Sequence, residues 1–209
     1  MISMNKRMKK LISLYPSIVS KIYIRLKYLL TPFEDIDSAV PLKANILDIG
    51  CGNGQYSIFL GLKSKVRKVS GIDNDKKRIR LACSITKRNS NISFSYTDLN
   101  KEYNLKRYDT YLINDVLHHI PDKSKIKLLE KIYNNMRNDN LLIIKDMHKE
   151  NKIKYVLNYI NDKIMTKNQK LYFLSTKELT EILENIGFKV KVKKIRGYPF
   201  PHIMCFCRR

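Results

Sequence analysis

At 209 residues with 44% apolar content, the chain is long enough to bury a core and too apolar to read as disordered. No run approaches the ~18 uninterrupted apolar residues of a membrane span. The basic N-terminus mixes charges among its apolar residues and shows no small-residue cleavage site, so no secretory signal is expected. Cysteines at 51, 83, 205 and 207 form no C-x-x-C pair, which argues against a zinc ribbon or disulfide framework and points to a reducing cytoplasm.

The net charge of +22 is unevenly spread: residues 1–30 carry seven Lys/Arg and no acid, 31–62 sum to −3, 63–107 to +9, 108–148 to zero and 149–209 to +9. Such an excess suits phosphate, on RNA or on an anionic membrane. It equally suits A/T-rich codon usage, since Lys, Asn and Ile are all plentiful. Charge names no substrate here.

Taken in chain order, residues 5–30 are predicted helical in two pieces, because Pro16 fits a first helical turn better than an interior. Leu11, Tyr15, Ile18, Ile22, Leu26 and Leu29 make one apolar stripe at three- and four-residue steps, with Lys21, Arg25 and Lys27 off it. Residues 31–42 read as a connector between Pro32 and Pro41. Strands are then predicted over Asn45–Ile49, Lys68–Ile72, Ile92–Tyr96, Tyr108–Ile113 and Leu141–Ile144, with helices over Gln55–Leu62, Asp75–Lys87, Asp122–Met136 behind an Asp122 cap, and much of 150–165. Ser175 to Glu178 has capping-box spacing, and Gly187 ends that helix. Two last strands, Lys189–Ile195 and His202–Cys207, are joined by a loop too short for a parallel return, so they must pair antiparallel. The expected fold is α/β: a Rossmann-like, doubly wound seven-stranded sheet with its last strand antiparallel, over residues 42–209, behind an N-terminal helical extension over 1–41.

In open α/β sheets ligands bind beyond the carboxyl ends of the strands. The first strand ends in Asp48 and then Gly50-Cys51-Gly52-Asn53-Gly54, a turn whose glycines let the backbone approach a ligand. The second ends in Asp73-Asn74, placed and spaced for a carboxylate that accepts ribose hydroxyls. The third ends in Asp98-Leu99, an acid for an adenine amino group and an apolar residue for its ring. The fourth ends in Asn114-Asp115-Val116-Leu117-His118-His119-Ile120-Pro121. Each acid could alone be a helix cap; their order and spacing together favour a nucleoside site.

Leu47–Gly54, Gly71-Ile72-Asp73, Asp98 and Tyr108–Pro121 resemble the four successive cofactor motifs of class I S-adenosylmethionine-dependent methyltransferases. The Asp115–Asp122 stretch is similar to the small-molecule members, including enzymes of quinone biosynthesis. The resemblance implies S-adenosyl-L-methionine as cofactor. Gly50, Gly52 and Gly54 would face its methionine portion, with Cys51 inside the loop as a small residue rather than a nucleophile. Asp48 would help hold the loop and the cofactor amine. Asp73 and Asn74 would meet the ribose, Asp98 and Leu99 the adenine, and Asn114 would line the methionine side. The N-terminal helix would be a lid.

Methyl transfer mainly requires alignment of the acceptor and, for an oxygen or nitrogen acceptor, removal of a proton. His119 or His148 is expected as base, with Asp146 as orienter, against the alternative that His118 and His119 only cap or pack. Asp146 and His148 alone make a weak metal pair, and no metal is expected. Tyr198, Phe200 and Pro201, with Tyr172 and Phe173, either build an apolar acceptor pocket or close the core. The expected acceptor is a small or lipid-like molecule, modified at oxygen or carbon. RNA is the runner-up: only the charge suggests it, and the fourth motif lacks the Asn/Asp-Pro-Pro-Tyr/Phe sequence of amino-group nucleic-acid methyltransferases. A noncatalytic scaffold would have no need of Asp48, Asp73 and Asp98 together. The basic amphipathic segment 5–30 also suits peripheral contact with an anionic membrane.

Overall fold

The computed structural model describes residues 5–98, 104–147 and 171–209. Three helices come first, α1 (Lys6–Leu14), α2 (Ile18–Leu30) and α3 (Phe33–Ala39), followed by β1 (Asn45–Ile49), α4 (Gln55–Gly61), β2 (Lys68–Asp73), α5 (Lys76–Thr86), β3 (Ile92–Tyr96) and β4 (Thr110–Asn114). A single 3-10 turn (Leu117–His119), α6 (Asp122–Asn135), β5 (Leu141–Met147), α7 (Thr176–Ile186), β6 (Lys189–Ile195) and β7 (His202–Arg208) complete the described elements. The strands form one seven-stranded sheet in the order β3-β2-β1-β4-β5-β7-β6. β1, β2 and β3 run parallel, whereas β7 pairs antiparallel with both β5 and β6. This is the expected doubly wound sheet with a reversed last strand. The helical stretch expected within 150–165 lies outside the described residues. No described helix is long and apolar enough to cross a membrane.

The chain divides into two compact units, residues 1–111 and 112–209. In the first, the Asn5 side chain caps α1 by accepting from the Met8 amide at 2.8 Å, and α1 buries Met8, Leu11 and Ile12. The chain breaks at Pro16, Ser17 caps α2, and α2 buries only Ile24. The predicted single stripe is therefore split: its Leu11 and Tyr15 end is buried, its Ile18 to Leu29 end exposed. Residues 33–39, expected as connector, are helical because Phe33 and Ile36 share a face at helical spacing and are both fully buried. Phe33 stacks on Tyr56 of α4 at 3.9 Å and meets Phe59 edge-on at 5.3 Å. Below this aromatic cluster Arg67, 1% exposed, donates to the Asp37 carboxylate at 2.5 Å and to the carbonyls of Val40 at 2.5 Å and Pro41 at 2.8 Å. Arg7 adds a second cation to Asp37 at 2.8 Å, and its guanidinium lies 3.7 Å from the Phe59 ring centre. A buried charge is tolerated only when so paired.

β4 is buried along its length, and in the second unit Leu142, Ile143 and Ile144 of β5 are fully buried. β5 runs past the apolar stretch predicted for it, through Lys145 and Asp146 to Met147, because both polar side chains, themselves buried, find partners in half-buried Asp115 and buried His118. Pro121 occupies the position before α6, so Asp122 lies in the first turn without capping it and instead accepts from Lys125 Nζ at 2.7 Å. The Ser175–Glu178 capping box and the left-handed Gly187 bound α7 as expected.

Candidate functional site

In the first unit most of the residues expected at a cofactor lie around the loop after β1. The amides of Gly50 and Cys51 both donate to the Ile72 carbonyl, at 2.8 and 3.0 Å, which ties the loop to β2. Gly54 opens α4 with φ +79°, and a Cβ there would lie 2.5 Å from the Phe94 ring. That glycine is demanded by packing as well as by backbone. Gly52 differs: its φ is +56°, but a Cβ would meet nothing nearer than Arg78 Nη1 at 3.9 Å. That is ordinary contact with the end of one flexible side chain. The Gly52 amide donates to Asp73 Oδ2 at 2.8 Å, and Asp73 Oδ1 accepts the Asp75 amide at the same distance. Asp73 is thereby held by backbone on both oxygens, each of which keeps acceptor capacity. Asn74 beside it is exposed, and Asp98 after β3 is half-buried. Leu99 lies outside the described residues.

Asp48 is buried under the loop, 1% exposed, and accepts from Ser57 Oγ at 2.5 Å. Burial pushes its carboxyl up to about 6, against the hydrogen bond from Ser57 and the charge of Lys27, which pull it down. Lys27 Nζ donates to Gln55 Oε1 at 3.3 Å. Burial also pushes the Cys51 thiol far up, so it stays protonated. From α1, the chain continues to Tyr15, whose hydroxyl donates 2.7 Å to the Asn53 carbonyl inside the loop.

In the second unit two acid–base pairs cross between the end of β4 and β5. Asp115, the one described non-glycine residue with positive φ (+54°), accepts from fully buried Lys145 Nζ through both oxygens, at 2.6 and 2.8 Å. One residue along, Asp146 Oδ1 lies 2.6 Å from His118 Nδ1 and also accepts the Met147 amide at 2.8 Å. His118 is 2% exposed, stacks on Phe173 at 4.9 Å with the rings 6° from parallel, and gives its carbonyl to the Tyr172 amide. Lys125, equally buried, donates to the Tyr172 carbonyl. Leu117, His118, Lys125, Asp146, Tyr172 and Leu179 line a small cleft. Asn114 Oδ1 is buried without a hydrogen-bond partner among the described residues.

A family model described as "Methyltransferase domain" matches residues 43–187. The chain belongs to this methyltransferase family. Carboxy-S-adenosyl-L-methionine synthase from Campylobacter jejuni is 32% identical over 108 residues, which are 51% of this chain and 46% of that protein. The chain thus spans about half the length of the curated relatives it matches first. Among solved structures, magnesium protoporphyrin IX methyltransferase from Synechocystis, with bound SAH, aligns at TM-score 0.69 and 19% identity, covering 97% of this chain and 93% of that one. An S-adenosylmethionine-dependent methyltransferase from Mesorhizobium loti aligns at TM-score 0.68 and 14% identity, covering 84% and 96%. At those identities the likeness is one of fold.

In the first unit the structure brings Asp48, Gly50, Cys51, Gly52, Gly54 and Asp73 together around one loop. Asp146, expected to orient His119 or His148, engages His118 instead; His119 is half-buried in the 3-10 turn with its ring 4.1 Å from that of His118, and His148 lies outside the described residues. His202 is buried at the start of β7, with Tyr198 and Phe200 rings 5.9 and 6.3 Å away. Sequence reasoning misses Tyr15 and Ser57. Only the apolar stripe hinted at burial of Tyr15, and nothing local signals its partner 38 residues on.

Proposed function

We propose that this methyltransferase binds S-adenosyl-L-methionine on the first unit and methylates a small-molecule or lipid-like acceptor. The observation that carries the reading is Asp73: a buried carboxylate clamped by two backbone amides beside a glycine, Gly52, where a Cβ would touch only the end of the Arg78 side chain. Such a cradle fits a nucleoside diol, with Asp73 accepting the ribose hydroxyls and Asn74 and Asp98 beside it for ribose and adenine. Gly50, Gly52 and Gly54 allow close approach of the methionine portion. The buried Asp48 stands beneath the loop as counter-charge for the amine. Bound there, the sulfonium supplies an already activated methyl group.

The protein's own task is then to orient the acceptor and hold a proton. Asp146, accepting from His118 Nδ1–H, fixes the tautomer in which Nε2 is the basic atom, the arrangement used by oriented histidine bases. We assign His118 as the base for an oxygen acceptor and Asp146 as its positioning residue. Calorimetric titration with S-adenosyl-L-methionine tests the donor reading. Asp73→Ala should weaken binding at least about a hundredfold, two charge-assisted hydrogen bonds being worth roughly 3 kcal/mol; unchanged affinity would remove the basis of the proposal.

A second reading has one observation behind it, the name of the Campylobacter relatives: modification of the donor itself to carboxy-S-adenosyl-L-methionine. Mass spectrometry separates the two, since one converts the donor to its demethylated form and the other to a heavier, carboxylated one. Labelled methyl found in copurifying RNA would favour the nucleic-acid alternative instead.

A further inference from the structure

α2 leaves its apolar side uncovered. Ile18, Val19, Ile22, Leu26 and Leu29 are 75%, 77%, 51%, 53% and 46% exposed, while Ile24 is fully buried. At 100° per residue these five fall within one arc of about 100°, diametrically opposite Ile24. Isolated exposed apolar residues are ordinary, but five adjoining on one helix mark a contact surface. Arg25, exposed, and Lys21, half-buried, sit next to each other on one flank of the arc. Lys6, Lys9 and Lys10 of α1 are exposed as well, and residues 5–30 contain no acidic residue at all.

We infer that α2 lies flat on an anionic lipid surface, with its apolar arc in the acyl boundary and Lys21 and Arg25 at the phosphates. Charge complementarity decides the occupant. A second copy of this chain meeting it helix to helix would bring another acid-free cationic segment against the first, whereas an anionic bilayer supplies a counter-charge that Lys21 and Arg25 do not have among the described residues. The geometry matches an interfacial helix: a continuous apolar arc, cationic residues at its border whose stems can lie along the apolar surface, and a buried side that keeps the helix on the protein. That buried side leads to the site. Lys27 of α2 reaches Gln55 and Tyr15 of the preceding turn holds the Asn53 carbonyl, so the docked helix belongs to the framework of the glycine loop.

The full chain is sedimented with vesicles of phosphatidylcholine alone or mixed with phosphatidylglycerol, at low and physiological salt. Association is expected only with the mixed vesicles and persists at physiological salt. Ile22→Gln with Leu26→Gln keeps the charge and lowers association roughly tenfold or more, and Lys21→Gln with Arg25→Gln lowers it and flattens the salt dependence. Because Ile22 and Leu26 are exposed, the first pair should leave the melting temperature unchanged. Vesicle binding indifferent to that pair would reduce the effect to bulk charge and overturn the inference. So would a concentration-dependent dimer that the pair dissolves, or a marked fall in melting temperature, which would mean that the arc is packed by protein.

Discussion

Asp48→Asn tests whether a buried charge is kept under the glycine loop at the expense of stability. In the fold this carboxyl titrates at about 6 rather than 3.8, chiefly through burial. A raised carboxyl favours the folded state fully below the unfolded value, and that advantage is lost as pH rises through the folded one. At about 1.4 kcal/mol per unit, the ionised side chain costs the native state roughly 3 kcal/mol above pH ~6.5 and nothing below pH ~3.5. The amide carries no such cost, although it weakens the bond from Ser57 Oγ by about 1 kcal/mol. Asp48→Asn should therefore be slightly less stable than the parent near pH ~4 and about 2 kcal/mol more stable near pH ~7.5. Urea unfolding of both proteins across that window gives the difference directly, because the remaining titrations of so basic a chain cancel between them. The same change should weaken binding of a donor whose amine faces the carboxylate. A stability difference that does not vary with pH, or a variant less stable at pH ~7.5, would refute the reasoning.

Two of the three loop glycines, Gly52 and Gly54, should separate stability from binding. Gly54→Ala combines left-handed backbone with a Cβ 2.5 Å from Phe94 and is expected to cost about 3 kcal/mol in chemical denaturation. Gly52→Ala, whose Cβ would touch only the end of Arg78, should cost about 1 kcal/mol while affinity for S-adenosyl-L-methionine falls much further; equal effects on folding would argue against close approach of the donor at this glycine. His118→Gln and Asp146→Asn should each lower kcat about a hundredfold with little change in KM for the donor, and His119→Gln much less. The reverse ranking in steady-state kinetics would return the role to His119. Arg67→Met strips donors from the Val40 and Pro41 carbonyls and one cation from Asp37, so a loss of roughly 3–4 kcal/mol is expected in urea unfolding.

Where a residue's setting depends on its neighbours along the chain, the sequence foretells it. β3 and β6 fall on their predicted bounds because their limits are marked locally, and the antiparallel return of β7 follows from loop length alone. The failures share a cause. β5 is predicted to stop at Ile144 because Lys145 and Asp146 look solvent-seeking; each is buried by a partner about thirty residues earlier, Asp115 or His118, that no local pattern reveals. The connector over 31–42 hides α3 because its prolines outweigh two helically spaced apolar residues. The stripe through residues 11–29 is continuous on paper, yet the break at Pro16 turns one half inward and the other out. In the candidate site the loop, Asp48 and Asp73 are legible because strand ends are. The pairing of Asp146 with His118 is tertiary, and so escapes.

The hydrogen bond from Tyr15 to the glycine loop bears on how the protein is cut and tagged. The family match begins at residue 43, an inviting place to start a shorter chain. Starting there would delete the donor to the Asn53 carbonyl, lift Phe33 from Tyr56 and take Asp37 and Arg7 from the cluster around Arg67. Residues 5–40 include structural neighbours of the loop, and poor affinity for S-adenosyl-L-methionine in a chain cut at residue 43 would report on a lost buttress.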